Sequence, residues 1–445
     1  MTSSTLTRRG LVGLLTLAAG ASLTLARRAS AAPASLTVEQ AVELAIKNNP
    51  RLVAARERLE GLEERTISAG RRMLPLVHLS EEWQYWNDSF SVAFAIPGAP
   101  PSAFLAREQR TNSFVAAIQQ PVVGLLHLDN EKEAQAAATE SGRAQIAAAE
   151  ADLRQSVETQ FLRYFEALAV KEIADASERE LGAEVEVARA RLASGVITRA
   201  DMLRIEVAVA NAHQQGLQAV STAQSARATL MALTGAGAAD AGVTLIEPRT
   251  LLAAARTPPA RFDALLPQAH ARRPEIVQQL RLIDSADRTA SARGYSLLPE
   301  VNAEAAYVRT DGQVFAPKNS AFVGVKAEWS IWEWGAREHL RRAALAEAAA
   351  ARRDLEATER QIESDLAISL ARGDAARGEV EAAETAIASA EEAFRVTQAQ
   401  VKAGAATTTD LLQAESELRQ ARLNLTGAQY RLAEAHVAVK RASGL

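Results

Sequence analysis

The chain has 445 residues, a formal net charge of −4, no cysteine and only 4% aromatic residues. Without cysteine it can form neither a disulfide nor a thiolate metal site. It has no basic stripe interleaved with aromatic residues, so nucleic-acid binding is not expected. A composition rich in alanine, leucine, arginine and glutamate favours long helices or coiled coils.

The first 32 residues have the pattern of a secretory signal peptide. Arg8 and Arg9 precede the apolar run Leu11–Ala26, and small residues follow up to Ala32. A basic region, an apolar region and a small-residue cleavage site are the three parts of such a signal. We therefore predict a signal peptide at 1–32. A retained membrane anchor and twin-arginine export remain alternatives.

The next segments predict a helix followed by a β-hairpin. Residues 37–73 have a helical pattern, with Thr37 as its N-cap, and from Pro75 the hydrophobic period drops to two. The hairpin is expected at about 75–122 with a loop at 87–110. The second half of the chain repeats the pattern, with a hairpin at about 299–332 and a loop at 310–319.

Each hairpin is followed by a long stretch with helical periodicity and no proline. The expected long helices are 125–194 and 336–403, and each leads into a tight turn and a shorter helix, at 198–234 and 407–443. In the last helix, leucine or valine recurs every seven residues from Leu411 to Val439, which is a coiled-coil seam. Each shorter helix is about half as long as a long helix, so two shorter helices laid end to end would match one long helix in length.

The same turn motif occurs twice in the sequence. The pattern Gly-x-x-Thr-x-x-Asp-x-Leu occurs with a constant offset of 209, and its main positions are Gly195, Thr198, Asp201, Gly404, Thr407 and Asp410. Glycine ends a helix in the left-handed conformation. Threonine then caps the next helix, and aspartate at its third position reaches back as in a capping box. The sequence therefore predicts two helix-turn-helix elements.

The duplication extends beyond the turns. The sequence around Pro50 matches that around Pro274 with an offset of 224, and Pro75 matches Pro299 with the same offset. We predict two copies of one unit, at 37–235 and 260–444, joined by a linker at 236–259.

The hairpins have features of membrane strands. All five tryptophans lie in the two hairpin regions, and strands of about ten residues with one apolar face suit an outer-membrane barrel. A half-buried soluble sheet is the alternative, and Glu81 on the apolar face favours it. Four strands cannot close a barrel, so a membrane location requires several chains.

This arrangement resembles the TolC-like family of outer-membrane efflux channels. The resemblance rests on the duplicated unit, the double turn, the stretch LTVEQAVELAIKNNP ending at Pro50, and the Leu-Pro pairs at Pro75 and Pro299. It implies an α+β fold: a long antiparallel coiled-coil α-helical barrel, with a transmembrane β-barrel of twelve strands shared by a homotrimer.

The family resemblance also implies a function. It predicts the outer-membrane channel of a tripartite efflux or type I secretion system, in the outer membrane of a Gram-negative bacterium and extending into the periplasm. The expected partners are outer-membrane lipid, a periplasmic adaptor (membrane fusion) protein and an inner-membrane pump. A periplasmic adaptor and a soluble coiled-coil structural protein are the alternative functions.

The six turn residues become candidates for the periplasmic tip, where the adaptor docks. In family members with an acidic ring at the tip, one ring position matches Asp410, a candidate pore constriction. The second acidic position of that ring is Gln413 here, so the sequence does not predict a doubled acidic ring. Capping explains Asp201 and Asp410 equally well.

No catalytic constellation is present in the sequence. It lacks a Gly-x-Ser-x-Gly motif, a His-Glu-x-x-His motif and a phosphate-binding loop, and its six histidines show no ligand spacing. We therefore expect no enzyme activity, no cofactor and no metal.

Overall fold

The structure is a computed structural model that describes residues 35–94, 97–98, 102–236 and 243–445. The predicted signal peptide lies outside these residues. The helices are α1 Val38–Asn48, α2 Pro50–Arg71, α3 Gly124–Ala193, α4 Arg199–Leu233, α5 Arg249–Ala255, α6 Phe262–Arg272, α7 Pro274–Tyr295, α8 Ala336–Lys402 and α9 Thr408–Ser443. The strands are β1 Ser35–Leu36, β2 Leu76–Tyr85, β3 Phe90–Phe94, β4 Ser102–Pro121, β5 Thr244–Leu245, β6 Glu300–Gln313 and β7 Asn319–Glu328.

The internal duplication is confirmed by matching elements. Helices α1 and α6 both have 11 residues, and α2 and α7 both have 22. The long helices α3 and α8 have 70 and 67 residues, and the shorter α4 and α9 have 35 and 36. At about 1.5 Å per residue, each long helix spans about 100 Å. No helix in the described ranges has the length and hydrophobicity to cross a bilayer.

The segment 37–73, expected as one helix, is instead two. Asn49 has an extended backbone and separates α1 from α2, which begins at Pro50. Proline fits the first position of a helix, whose N–H is unpaired in any case, and it disfavours helical geometry in the residue before it. The capping box at Thr37 is present, with Gln40 as its partner.

The helices form a layered body around α3 and α8. Helix α3 packs against α2 and α7 on the sheet side and against α4 and α9 beyond them; α8 packs against α7 and α9. In the part of the helical layer that lies away from the sheet, the helices are arranged side by side in the order α4, α3, α9, α8. Helices α2 and α4 therefore lie end to end along α3, as do α7 and α9 along α8.

The two end-to-end joints are built differently. At the first, the Asn49 side chain caps α2 by accepting from the Arg51 N–H at 2.9 Å, and its Nδ2 donates to the Leu233 carbonyl at the end of α4. At the second, the guanidinium groups of Arg273 and Arg441 both contact Glu275. Asn49 and Arg273 occupy matching positions in the two copies. The joint is therefore formed by a side-chain amide in the first copy and by ion pairs in the second.

A waist of smaller elements lies at the level of these joints. Strand β1 pairs in parallel with β5, and α1 packs on α3 through a core that includes Val42, Val157 and Phe161. Helix α5 packs on α9 around Tyr430, and α6 on α8 and α9 around Leu366. Strand β5 and helix α5 fall within the segment 236–259 that was predicted as a linker.

The sheet has the order β2-β4-β6-β7, with all neighbours antiparallel, and β3 also pairs with β4. The predicted loop at 87–110 is wrong, because β3 continues β2 after a short break and β4 extends to pair with both. The fold thus has four main strands, with β3 as an extension of the first.

One face of this sheet is apolar in every main strand. Directly paired residues of antiparallel strands point to the same face, so the register Leu79–Ala116–Tyr307–Ala321 places the predicted apolar positions together. This apolar face consists of Val77, Leu79, Phe114, Ala116, Ile118, Val301, Ala303, Ala305, Tyr307, Ala321, Val323, Val325 and Ala327. Polar residues also lie on this face. Glu81 lies at its outer end and accepts a hydrogen bond from Asn112 Nδ2 at 3.1 Å, and Gln120 lies near the helix end of β4, opposite Ala303, and donates to the Met73 carbonyl at 3.0 Å.

Candidate functional site at the two helix turns

Both repeated turns begin with the same helix ending. Gly195 and Gly404 have φ of +74° and +76°, in the left-handed region. After them, the Val196 N–H donates to the Arg191 carbonyl at 2.9 Å and the Ala405 N–H to the Gln400 carbonyl at 2.8 Å. Each glycine N–H donates to the carbonyl three residues back. These paired bonds are those of the Schellman motif, which satisfies the last carbonyls of a helix.

Both turns end with the same helix start. The Thr198 Oγ1 accepts from the Asp201 N–H at 3.2 Å, and the Asp201 carboxylate accepts from the Thr198 N–H at 3.1 Å and from its hydroxyl at 2.7 Å. Thr407 and Asp410 repeat these three bonds, in the same order, at 3.2 Å, 2.8 Å and 2.7 Å. Each aspartate therefore closes a capping box.

The caps determine the electrostatics of the turns. Hydrogen bonds from the Thr198 hydroxyl and N–H lower the pKa of Asp201, and those from Thr407 lower the pKa of Asp410. Hydrogen bonds to an ionised carboxylate favour the charged form. Both aspartates thus carry stable negative charge at the solvent-exposed end of the helical body.

The fold brings the two turns side by side. Arg204 Nη1 donates to Thr409 Oγ1 at 3.1 Å, which joins the first turn of α4 to the first turn of α9. Leu412 of the second turn packs on the cluster of Ala188, Met202 and Ile205 beneath the first. The six predicted turn residues therefore lie at one end of the molecule, opposite the sheet.

Sequence reasoning missed the contacts between the turns. Arg204 pairs with Asp201 at 3.5 Å as well as with Thr409, whereas the equivalent position in the second copy is Gln413. That difference between two otherwise matched turns was the available signal. The turns also differ in hydrophobicity: Val196 is 70% exposed, and alanine occupies the matching position 405.

The described residues contain no group of three or more His, Asp or Glu side chains arranged to hold a metal ion. The features of the two turns that a partner could contact are their helix caps, their exposed aliphatic side chains and their negative charge.

A sequence profile of the family described as "Outer membrane efflux protein" matches residues 41–236 and 265–445, which is most of the chain. The chain belongs to the outer membrane efflux protein family. As a member of this family, it is located in the outer membrane of a Gram-negative bacterium and extends into the periplasm. The predicted resemblance to the TolC-like family is confirmed.

This outer membrane efflux protein is similar to a curated relative and to solved structures. It is 26% identical over 287 residues to the outer membrane efflux protein BepC of Brucella suis, covering 63% of this chain and 61% of that one. The match thus spans about three fifths of the relative's length. The outer membrane protein VceC of Vibrio cholerae has a TM-score of 0.77 at 19% identity, with 92% of this chain and 96% of that chain covered.

A second solved relative, the transmembrane channel protein CusC, has a TM-score of 0.78 at 15% identity, with 92% of each chain covered. At these identities the solved structures establish the fold. They confirm the predicted fold class for this family member.

Proposed function

We propose that three copies of this chain form the outer-membrane channel of a tripartite efflux or type I secretion system. The channel conducts substrate passively from a periplasmic adaptor and an inner-membrane pump to the exterior. The observation that carries the proposal is the sheet, which has a largely apolar face and, among the described strands, an edge strand at each end that pairs on one side only.

The apolar face suits contact with lipid. Val323 and Val325 are 87% and 72% exposed in the single chain, and an exposed face of this size needs a nonpolar environment. Seven residues from Ala321 to Ala327 span about 20 Å at about 3.3 Å per residue, close to the height of the apolar band of outer-membrane barrels. Trp83 and Trp329 lie near the two ends of this band.

The sheet edges support assembly from several chains. Strand β2 has β4 as its only neighbour and β7 has β6 among the described strands. Unpaired strand edges are not tolerated in lipid. Pairing β2 of one chain with β7 of the next satisfies both edges, and three chains give the twelve main strands of a closed barrel.

The helical layer has matching edges. Helices α4 and α8 lie at its two sides, and α4 exposes a stripe away from α3, composed of Leu203, Val207, Ala210 and Leu217. Helix α8 exposes small residues at similar spacing, namely Ala371, Ala375, Gly378 and Ala382. Larger residues on one helix and small residues on the other allow close coiled-coil packing between neighbouring chains.

The waist indicates which face of the layer points inward. Helix α1 packs on α3 through Val157 and Phe161, so the waist elements cover one face of the layer. In a closed cylinder these elements have room only on the outside. The opposite face of the helices then lines the interior.

The two turns then lie at the periplasmic end of the cylinder, and we propose that the adaptor docks there. Three chains present six similar turns, each with a rigid Gly195-type or Gly404-type helix ending. The exposed Val196 and the capped aspartates supply an apolar and a negatively charged surface for a partner. Asp410 is our candidate for the narrowest part of the pore.

The alternative functions fit the structure less well. An adaptor is expected to have one helical hairpin and a lipoyl-like β-domain, whereas this chain has two hairpins and the membrane-type sheet. A soluble coiled-coil protein would bury the apolar face of the sheet in its own core, and this chain leaves that face open.

Fractionation and conductance measurements test the proposal. The full chain, expressed in a Gram-negative host, should fractionate with the outer membrane. In detergent it should have the mass of a trimer, and in planar bilayers it should form conducting pores. A monomer in the soluble fraction would support the soluble coiled-coil alternative instead.

A further inference from the structure

A groove of about 700 Å³ runs between α3 and α4, directly on the turn side of the waist. Its floor is apolar, with Val170, Ala219 and Leu423. Its rim carries amide and hydroxyl groups, among them Gln215, Gln218 and Thr222. A groove of this volume, with an apolar floor and a few polar groups, has the character of a small-molecule site.

The Glu166 carboxylate lines the groove and has no hydrogen-bond or ion-pair partner among the described residues. The two nearby guanidinium groups bond to other acids: Arg163 Nε lies 3.1 Å from Glu434 Oε1, and Arg431 Nε lies 2.8 Å from Glu379 Oε2. No side chain or backbone group in the described part of the chain hydrogen-bonds to Glu166. A carboxylate that is half buried and unpaired is costly to keep charged.

The pKa of Glu166 reflects this cost. Partial burial and the nearby Glu434 charge raise the pKa of Glu166, and they outweigh the opposing effect of Arg431 and Arg163. A bound cation would offset this unfavourable burial.

The groove lies on the face of the helical layer away from the waist. On α3, Phe161 packs on the waist core, while Arg163 lines the groove two residues further along. Two helical residues are about 200° apart around the axis, so these side chains point in opposite directions. In the proposed channel the groove therefore opens into the interior.

The neighbouring chain does not cover the groove in this arrangement. The edge stripe on α4 that would contact the neighbour includes Leu203 and Leu217, whereas the groove is lined by Gln218 and Thr222. One residue along a helix turns the side chain by about 100°. The groove and the edge stripe thus lie on different sides of α4.

We infer that this groove is a binding site for amphipathic cations. The cationic group lies against the Glu166 carboxylate, the apolar body covers Val170, Ala219 and Leu423, and the Gln215 and Gln218 amides accept hydrogen bonds from the cation's N–H groups. One free carboxylate does not make a metal site, and its charge repels anions. The location of this site in the channel interior rests on the proposed function.

Binding of rhodamine 6G, a fluorescent amphipathic cation, tests the site. The fluorescence polarisation of the dye is measured with the full-length protein in detergent at pH 8, against protein-free micelles as the blank. We expect Glu166→Gln to weaken binding about tenfold or more. Glu172→Gln is the matched control, because Glu172 is an exposed residue of the same helix that does not line the groove; it should bind as the wild type does.

A second pair of variants guards against misfolding of the first. Thr222→Trp places a large side chain in the groove from an exposed position and should remove binding with Glu166 still in place. Gln224→Trp adds the same bulk to α4 outside the groove and should leave binding unchanged. The anionic dye fluorescein should show no binding that depends on Glu166.

The outcomes separate this inference from the channel itself. If the trimer conducts but Glu166→Gln binds rhodamine 6G as well as the wild type, the groove is not the site and the channel proposal stands. Equal binding of rhodamine 6G and fluorescein would also overturn the inference. If binding depends on Glu166 but the protein forms no pores, the cation site stands and its place in a channel is wrong.

Discussion

The Asn49 side-chain amide donates a 2.9 Å hydrogen bond to the backbone carbonyl of Leu233, 184 residues away in sequence. Its other side-chain atom, Oδ1, caps α2. One buried side chain therefore ends α4 and starts α2, and makes the two short helices continuous along α3. Arg273, at the matching position of the second copy, has no cap of this kind and pairs instead with Glu275 and Asp365.

We expect Asn49→Asp to destabilise the protein by about 1–3 kcal/mol, because it leaves the partly buried Leu233 carbonyl without its donor and places a carboxylate beside it. Asparagine and aspartate are equally good N-caps, so the cap of α2 is retained. Thermal unfolding followed by circular dichroism measures the change. Asn49→Ala, which removes cap and donor together, should be at least as destabilising. Unchanged stability in the aspartate variant would show that the bond to Leu233 contributes nothing.

The ionic joint should make stability depend on acid pH. Burial alone would raise the pKa of Glu275, but hydrogen bonds from Arg273 and Arg441 outweigh it and lower the pKa to about 2. A group whose pKa is lowered in the folded state stabilises the fold above its unfolded pKa of about 4.5. This contribution should be present at neutral pH and decline as pH falls from about 4.5 towards 2.

Glu275→Gln isolates this effect. We expect it to lower stability at pH 7 by about 1–3 kcal/mol, because it removes a charged partner from the largely buried Arg273 and Arg441 side chains. Melting temperatures measured from pH 7 down to pH 3 should fall less steeply in the variant than in the wild type. Parallel pH profiles would contradict the role assigned to Glu275.

Cysteine labelling tests which face of the sheet meets water. The natural chain has no cysteine, so single substitutions report without background. In outer membranes, cysteine at Gln84 or Glu328 on the polar face should react with a water-soluble maleimide, and cysteine at Leu79 or Val325 on the apolar face should not. Equal reaction on both faces would contradict the membrane placement of the sheet.

The repeated turn is tested by Gly404→Val. No atom lies within 4 Å of a Cβ added at Gly404, so the strain comes only from its φ of +76°, at a cost of about 1–2 kcal/mol. We expect trimer assembly and membrane insertion to persist while adaptor binding and export are lost. Gly182→Val is the matched control, since Gly182 has equally open surroundings and ordinary helical φ. If the Gly404 variant still co-purifies its adaptor and restores export, the turn is structural only.

The turns and caps could be predicted because they are local. The capping boxes at Thr198 and Thr407 link groups three residues apart, and the left-handed glycines follow from the same short motif. The strand faces were likewise predictable, because a period of two survives any register that keeps the apolar residues together. These features depend only on residues that are close together in the sequence.

The remaining features depend on residues brought together from distant parts of the chain. Asn49 before Pro50 predicts a cap, but nothing nearby in the sequence indicates that its amide reaches Leu233. The bond between Arg204 and Thr409 and the groove at Glu166 likewise join elements that are far apart in sequence. Strand β3 was missed because its pairing requires β4 to extend beyond the hairpin that the hydrophobic pattern defines.

The pairing of β1 with β5 determines where a tag attached to this protein would lie. Ser35 and Leu36 are held beside Thr244 and Leu245 at the waist, and Gly444 at the far end of the chain lies against Arg272 and Arg273 at the same level. In the proposed channel, a peptide tag or fluorophore joined before Ser35 or after Leu445 would therefore emerge at the level of the waist, on the outer wall. It would lie about 30 Å from the sheet along α2 and about 50 Å from the turns along α4, at about 1.5 Å per residue, so we expect it to interfere with neither.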